Sequence, residues 1–448
     1  MSTIKKISLE RFKALTYCKK PLADHTGKEL EWYSDENGRL IGTVILDTID
    51  QDYSYVLLGR DETELFRAIS LGTSYESVGL AQKALLNDFE AHLSKPDEFF
   101  FQGDRTKVKK DFYKPRVDKK KQHQNYTALI SNPDFSPAKE IIKEIAVSFE
   151  DCDGNFFEQF QSNGFNARLW ELFLYALFNE SRFLIERKYD APDFILTHFE
   201  TGLPIAVEAV TVNKSLKNTD PESPKDHEKK ELLKDFIPIK FGSPLFTKLK
   251  KEYWKKDHVK DMPIILAIHD YLYEDSMTWT RTGLERYLYG YEYDHHFDES
   301  GELKIIPKKI NNHSWEGKTI LSGFFDLPGA ENISAVLFTN TATIPKFNRM
   351  GFLAEFGDID TQMLRIGEYY DHDSNAVIPK EFSVPIELGK YSEEWAEGVM
   401  LYHNPNANIK IPFEFFDKFS HSVVLDGEWL AKLREFTPLS SKTIFLKK

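Results

Sequence analysis

Pro192-Asp193-Phe194-Ile195-Leu196-Thr197-His198-Phe199, then Glu200-Thr201-Gly202, then Leu203-Pro204-Ile205-Ala206-Val207-Glu208-Ala209-Val210-Thr211-Val212, is the stretch on which the reading of this chain turns. Two apolar, β-branched runs flank a short polar turn containing Gly, which is the pattern of a β-hairpin. A turn centred between Glu200 and Thr201 sets Asp193 directly across the ladder from Glu208. Opposed residues on one face of an antiparallel pair lie roughly 4.5–5.5 Å apart at Cβ. Two carboxylates held that close in apolar surroundings repel each other and lose hydration unless a cation joins them. A divalent metal is the natural partner. Each acid also has a plainer reading. Asp193 after Pro192 suits a strand-start turn, and Glu208 suits a buried ion pair, since a carboxylate is almost never buried alone.

Outward from the hairpin, Asn166 to Glu180 carries the spacing of an amphipathic helix and Phe183 to Arg187 that of a short strand. A polar, lysine-rich loop covers 213–235. Ser243-Pro244 is the signature of a helix start, with the helix expected to run to about Lys256. Met262 to His269 reads as a buried strand that opens with Pro263. The order is helix, three strands, helix, strand.

The 448 residues exceed one ordinary domain. With 41% hydrophobic residues and 35 Phe, the chain can build sizeable cores and is neither disordered nor fibrous. Cys18 and Cys152 are the only cysteines, which excludes a disulfide framework and a Cys-rich zinc module. No secretory leader is expected after Met1, and no apolar run approaches 18 residues. These features predict a soluble, cytoplasmic protein without a membrane partner. A net charge of −13 restricts any nucleic-acid contact to a local basic surface. Two stretches qualify, Arg105 to Lys121 with nine basic residues and the more diluted Lys225 to Lys256, although a solvated linker or helix face explains both.

Four segments are expected. Residues 1–100 form a small α/β module, with a hairpin at Asn37-Gly38 and a helix from Ser77 to Leu93. Residues 101–149 are a basic linker and a helix opened by Ser136-Pro137. Residues 150–275 hold the core described above, and 276–448 a mixed α/β extension. In the extension, Ser276 to Tyr289 reads as a helix, 291–309 as a hairpin turning at Ser300-Gly301, and Ile333 to Asn340 and Phe352 to Phe356 as strands. Asp294-His295-His296-Phe297-Asp298 carries metal-capable side chains but reads as a polar loop, and His403 reads as structural. No Gly-rich phosphate loop, serine elbow or HExxH pattern occurs.

The element order, the Pro-Asp opening the second strand and the Glu in the third resemble the PD-(D/E)XK nuclease superfamily over about residues 150–270. The resemblance implies a restriction-endonuclease-like αβββαβ core that cleaves phosphodiester bonds of DNA with Mg²⁺ or Mn²⁺, in settings such as bacterial restriction or defence. It places Asp193 and Glu208 as metal ligands together with the backbone carbonyl near Ala209, and Glu171 as the carboxylate of the preceding helix. Many such enzymes act as homodimers, an assembly for which this sequence carries no signature of its own. The family's lysine two residues after the strand Glu is missing, because Val210 stands there. Some members move that lysine to the following helix, and Lys248 is the best replacement here; Lys214 and Lys240 are weaker ones. Lys214, Lys217 and Lys240 are the residues placed to follow a phosphate backbone. Two alternatives stay open: a degenerate nuclease fold that binds nucleic acid or protein without cutting, and, for Glu171, a simple helix-surface pair with Arg168.

Overall fold

We describe the fold from a computed structural model, which covers residues 3–94, 99–103, 111–151, 154–215, 220, 224–358 and 360–446. Lys217, Cys152 and four of the nine basic residues of the run beginning at Arg105 (Arg105, Lys107, Lys109 and Lys110) lie outside the described residues. The chain divides into two units. The first comprises Met1–Ser162, Arg182–Leu184 and Phe347–Asp360; the second comprises Asn163–Ser181, Ile185–Lys346 and Thr361–Lys448.

In the first unit, period-2 alternation of apolar residues builds five antiparallel strands in sequence order. They are β1 (Ile4–Lys6), β2 (Gly27–Asp35), β3 (Leu40–Asp47), β4 (Tyr53–Arg60) and β5 (Phe66–Tyr75). Helices α1 (Leu9–Leu15) and α2 (Ala23–Thr26) lie between β1 and β2 in the chain. Helix α3 (Val78–Leu93), capped by the Ser77 side chain, lays Ala81, Leu85 and Phe89 on Tyr33, Leu40, Val44, Tyr55 and Leu57. Gly42 permits that approach, because a Cβ there would stand 2.7 Å from Leu85 Cδ1. Helices α4 (Gln124–Ser131), α5 (Ser136–Ser148) and α6 (Phe156–Gln161) follow. Ser136, expected as the cap of α5, is its first helical residue, and Phe135 holds the cap position.

In the second unit, helix α7 (Phe165–Glu180) leads into strands β6 (Phe183–Glu186), β7 (Phe194–His198) and β8 (Pro204–Asn213). Helices α8 (Asp226–Leu232) and α9 (Phe236–Leu249) then precede β9 (Ile264–Tyr271). Phe194 pairs with Val207 and Ile195 with Ala206, antiparallel, and Gly202 takes φ +68° in the turn between. Strand β9 runs parallel to β8.

The sheet continues well past residue 275. After α10 (Arg281–Tyr289), the hairpin β10 (Tyr291–Phe297) with β11 (Leu303–Lys309), and the ribbon β12 (Asn312–Trp315) with β13 (Lys318–Leu321), strand β14 (Ala335–Thr339) pairs parallel to β9. Further on are α11 (Ile344–Leu353), β15 (Gln362–Tyr369), β16 (Lys380–Ile386), β17 (Val399–His403), β18 (Ser420–Leu425), β19 (Glu428–Lys432) and β20 (Pro438–Leu446). The main sheet has eight strands in the order β19-β18-β17-β14-β9-β8-β7-β6; β16, β15 and β20 form a separate three-stranded sheet. The architecture is mixed α/β.

Strand alternation divides the sheet's two faces around the hairpin. Phe194, Ala267 and His269 meet α7: Phe178 packs edge-on against Phe194, and Trp170 Nε1 donates to the Ala267 carbonyl at 3.0 Å. Ile195, Ala206, Val210, Leu266 and Ile268 meet Phe241, Leu245 and Leu249 of α9.

Three local expectations need correction. Ser243-Pro244 does not begin α9; the helix starts at Phe236 and carries Pro244 inside it. Burial of Phe236, Ile237, Ile239, Phe241, Leu245 and Leu249 along one continuous face outweighs the missing Pro244 N–H. Phe352 to Phe356 is the end of α11 and the turn after it, with Glu355 at φ +56°, and not a strand. A short apolar run suits a buried helix end equally well. Residues Ser276–Thr278 form a 3₁₀ turn, so that α10 proper begins at Arg281. Among the described residues, no helix is long and apolar enough to cross a membrane.

Candidate metal and phosphate site

The observed register carries Asp193 to a position across from Glu208, one residue before β7 formally begins. Both share the strand parity of Ile195, Ala206 and Val210, so they lie on the face that α9 covers. Glu208 is 4% exposed among Ala206, Val207 and Val210. Asp193 Oδ2 accepts a 2.7 Å hydrogen bond from the Ala209 amide. Ala209 therefore enters the site through its N–H, which ties the first acid to the strand carrying the second.

Lys248 arrives from α9. Leu245 and Leu249 are buried against the sheet, and the residue between them in the helix reaches Glu208: its Nζ lies 2.5 Å from Glu208 Oε1. The other oxygen, Oε2, is buried without a hydrogen-bond partner. Tyr253, on the turn after α9, is 1% exposed, and its hydroxyl is likewise buried and unpartnered. Burial, then the charge of Glu208, a contact with it and the charge of Asp193 push the Tyr253 phenol well above its usual range.

Asp193 is pushed up to about 7, first by burial, then by the charges of Glu208 and Glu171; the Ala209 amide and Lys248 pull the other way. Burial beside two carboxylates disfavours the charged form of Asp193.

Glu171 is placed differently. It projects from α7, and Arg168 Nη1 donates to both its oxygens at 2.8 and 3.0 Å. Arg187 Nη2 donates to Oε2 at 3.2 Å, while Arg187 Nε donates to the Asp193 carbonyl at 3.2 Å. The helix pair with Arg168 is thus formed, and Arg187 links that cluster to the backbone of Asp193. Of the lysines expected to meet phosphate, Lys240 pairs with Asp220 at 2.8 Å and Lys214 lies over the Tyr273 ring at 5.5 Å. His403, at the end of β17, shares a 2.9 Å hydrogen bond with His421 in a buried structural pair.

Arg187 and Tyr253 were not singled out in the sequence. Tyr253 continues the four-residue spacing of Leu245 and Leu249, a signal that reaches it. Arg187 meets Glu171 through tertiary packing, for which no local pattern exists.

Carboxylates, a phenol and an ammonium suit a hard divalent cation and a phosphate oxygen. An unpartnered Glu208 oxygen and an aspartate with a single hydrogen-bond donor leave acceptor capacity for such an ion. Among the described residues, no group of three or more His, Cys, Asp or Glu is arranged to hold a metal. Two protein carboxylates with the remaining positions taken by water or phosphate is a usual set for Mg²⁺. No family model, no curated protein and no solved structure matches this chain.

Proposed function

We propose that the chain is a divalent-metal-dependent nuclease hydrolysing phosphodiester bonds, with DNA as the leading substrate and a PD-(D/E)XK-like core as its scaffold. The carrying observation is the convergence of Asp193, Glu208 and Lys248 from two strands and a helix onto one buried spot. The helix–three strands–helix–strand order, with β9 parallel to β8, supports the same reading.

Asp193 and Glu208 would hold Mg²⁺ or Mn²⁺ through their carboxylate oxygens. Bound there, the ion supplies charge neutralisation at phosphate and activation of water. Lys248, replacing the lysine that Val210 displaces, moves its ammonium from Glu208 toward the phosphate and offsets charge as the bond breaks. Arg168 and Arg187 neutralise Glu171, so its part is to fix Arg187 beneath Asp193. Phosphate tracking by Lys214, Lys217 and Lys240 belongs to the same proposal, with Lys240 first releasing Asp220.

The rival reading is a degenerate fold that binds nucleic acid or a protein without cutting. Val210 and the double guanidinium clamp on Glu171 favour it. Supercoiled plasmid incubated with Mg²⁺ separates the two. We expect nicking that EDTA stops and that Glu208→Gln or Asp193→Asn lowers by at least ~100-fold, since the ligands act together. Cleavage by either variant at the parental rate would sink the assignment; binding without cleavage by the parent favours the rival.

A further inference from the structure

Two polar atoms in this site are each left without a partner. Glu208 Oε2 and the Tyr253 hydroxyl are both buried and form no well-aligned hydrogen bond, although the hydroxyl already lies against the Glu208 carboxylate. Lys248 takes Glu208 Oε1, and the Ala209 amide takes Asp193 Oδ2. Buried hydroxyls and carboxylate oxygens are nearly always paired, and here the two exceptions adjoin. Tyr253 is buried in the same apolar cluster as Leu249, Val259 and Ile195. A shift of the Glu208 carboxylate would complete that contact as a hydrogen bond. Such a movement is what release of Oε1 by Lys248 would permit.

Resting on the nuclease reading, we propose that Tyr253 is a positioning residue for Glu208: its hydroxyl donates to Oε2 and fixes the carboxylate when a divalent cation takes the place of the Lys248 ammonium. The metal-free chain then holds Glu208 by the lysine, and the loaded chain by the phenol. Tyr253 acts through Glu208 and need not touch substrate. Its role is that of an outer partner that orients a ligand, whose loss typically weakens metal binding about 10–100-fold.

The test is Tyr253→Phe in the full chain, titrated calorimetrically with MnCl₂ alone. We expect the dissociation constant to rise at least ~10-fold, while the metal-free melting temperature stays at or above that of the parent, because only an unpaired hydroxyl is removed. Tyrosine-sensitised Tb³⁺ emission from the site should fall in the same variant. Parental Mn²⁺ affinity in Tyr253→Phe overturns the inference and leaves the nuclease reading intact. A sharp loss of metal-free stability also overturns it, by showing that the hydroxyl serves the resting fold. If the parent binds no Mn²⁺, or Glu208→Gln binds as well as the parent, both the inference and the nuclease reading fall.

Discussion

His269 and Asp193 show how single side chains set opposite pH limits on this protein. His269 is fully buried against Trp170 and Tyr271, both ring nitrogens lack partners, and burial drives its pKa down to about 3. The unfolded chain takes up that proton near pH 6.5, whereas the folded chain refuses it. The contribution is therefore present above about 6.5 and is lost as pH falls toward about 3. His269→Phe should gain on the parent in urea unfolding at pH 4 far more than at pH 7; an equal difference at both would refute the argument. Asp193 runs the other way. Its folded pKa of about 7 lies above the unfolded value, so its contribution is full below about 4 and is lost as pH rises through 7. Metal-free Asp193→Asn should accordingly stand closest to the parent at or below about pH 4 and gain on it steadily up to pH 8.

At the scale of elements, the hairpin was readable and α9 was only partly so. Alternation in 193–212 and the glycine of the turn specify the register, because a one-residue slip would turn every apolar side chain outward. That is why the facing of Asp193 and Glu208 across the ladder is legible in the sequence, as is the place of Lys248 between Leu245 and Leu249. Ser243-Pro244 misled, since the pair is a common helix start and nothing local reveals the buried face that extends the helix back to Phe236. The element carries a testable cost. Pro244 removes one helical hydrogen bond to the Lys240 carbonyl, and interior proline costs a helix up to about 3 kcal/mol. Pro244→Ala should raise stability by part of that amount in urea unfolding. Unchanged or lower stability would mean that the surrounding packing already accommodates the proline.

For the whole molecule, the order of strands was the least legible property. Strand β9 lies between β8 and β14, and β14 is followed in space by β17, which comes sixty residues later in the chain. Such pairings depend on which long-range partner wins, and no local period encodes that. The consequence concerns independence. Ile264, Ile265, Leu266, Ala267 and Ile268 are completely buried, with β14 along one edge. A fragment of residues 150–275 would expose that edge as well as the apolar face now covered by α10. It should show no cooperative thermal transition by circular dichroism; a sharp two-state melt would contradict the shared sheet. The charge of −13 acts at the same scale, confining attraction for a polyanion to a few lysines.

The most direct measurement is an anomalous difference map from crystals of the full chain soaked in Mn²⁺. The account predicts one peak between Asp193 and Glu208, at roughly 2.0–2.3 Å from a carboxylate oxygen of each, with the Lys248 ammonium displaced from Glu208. A map with no peak there, and Lys248 still seated on Glu208, would contradict it.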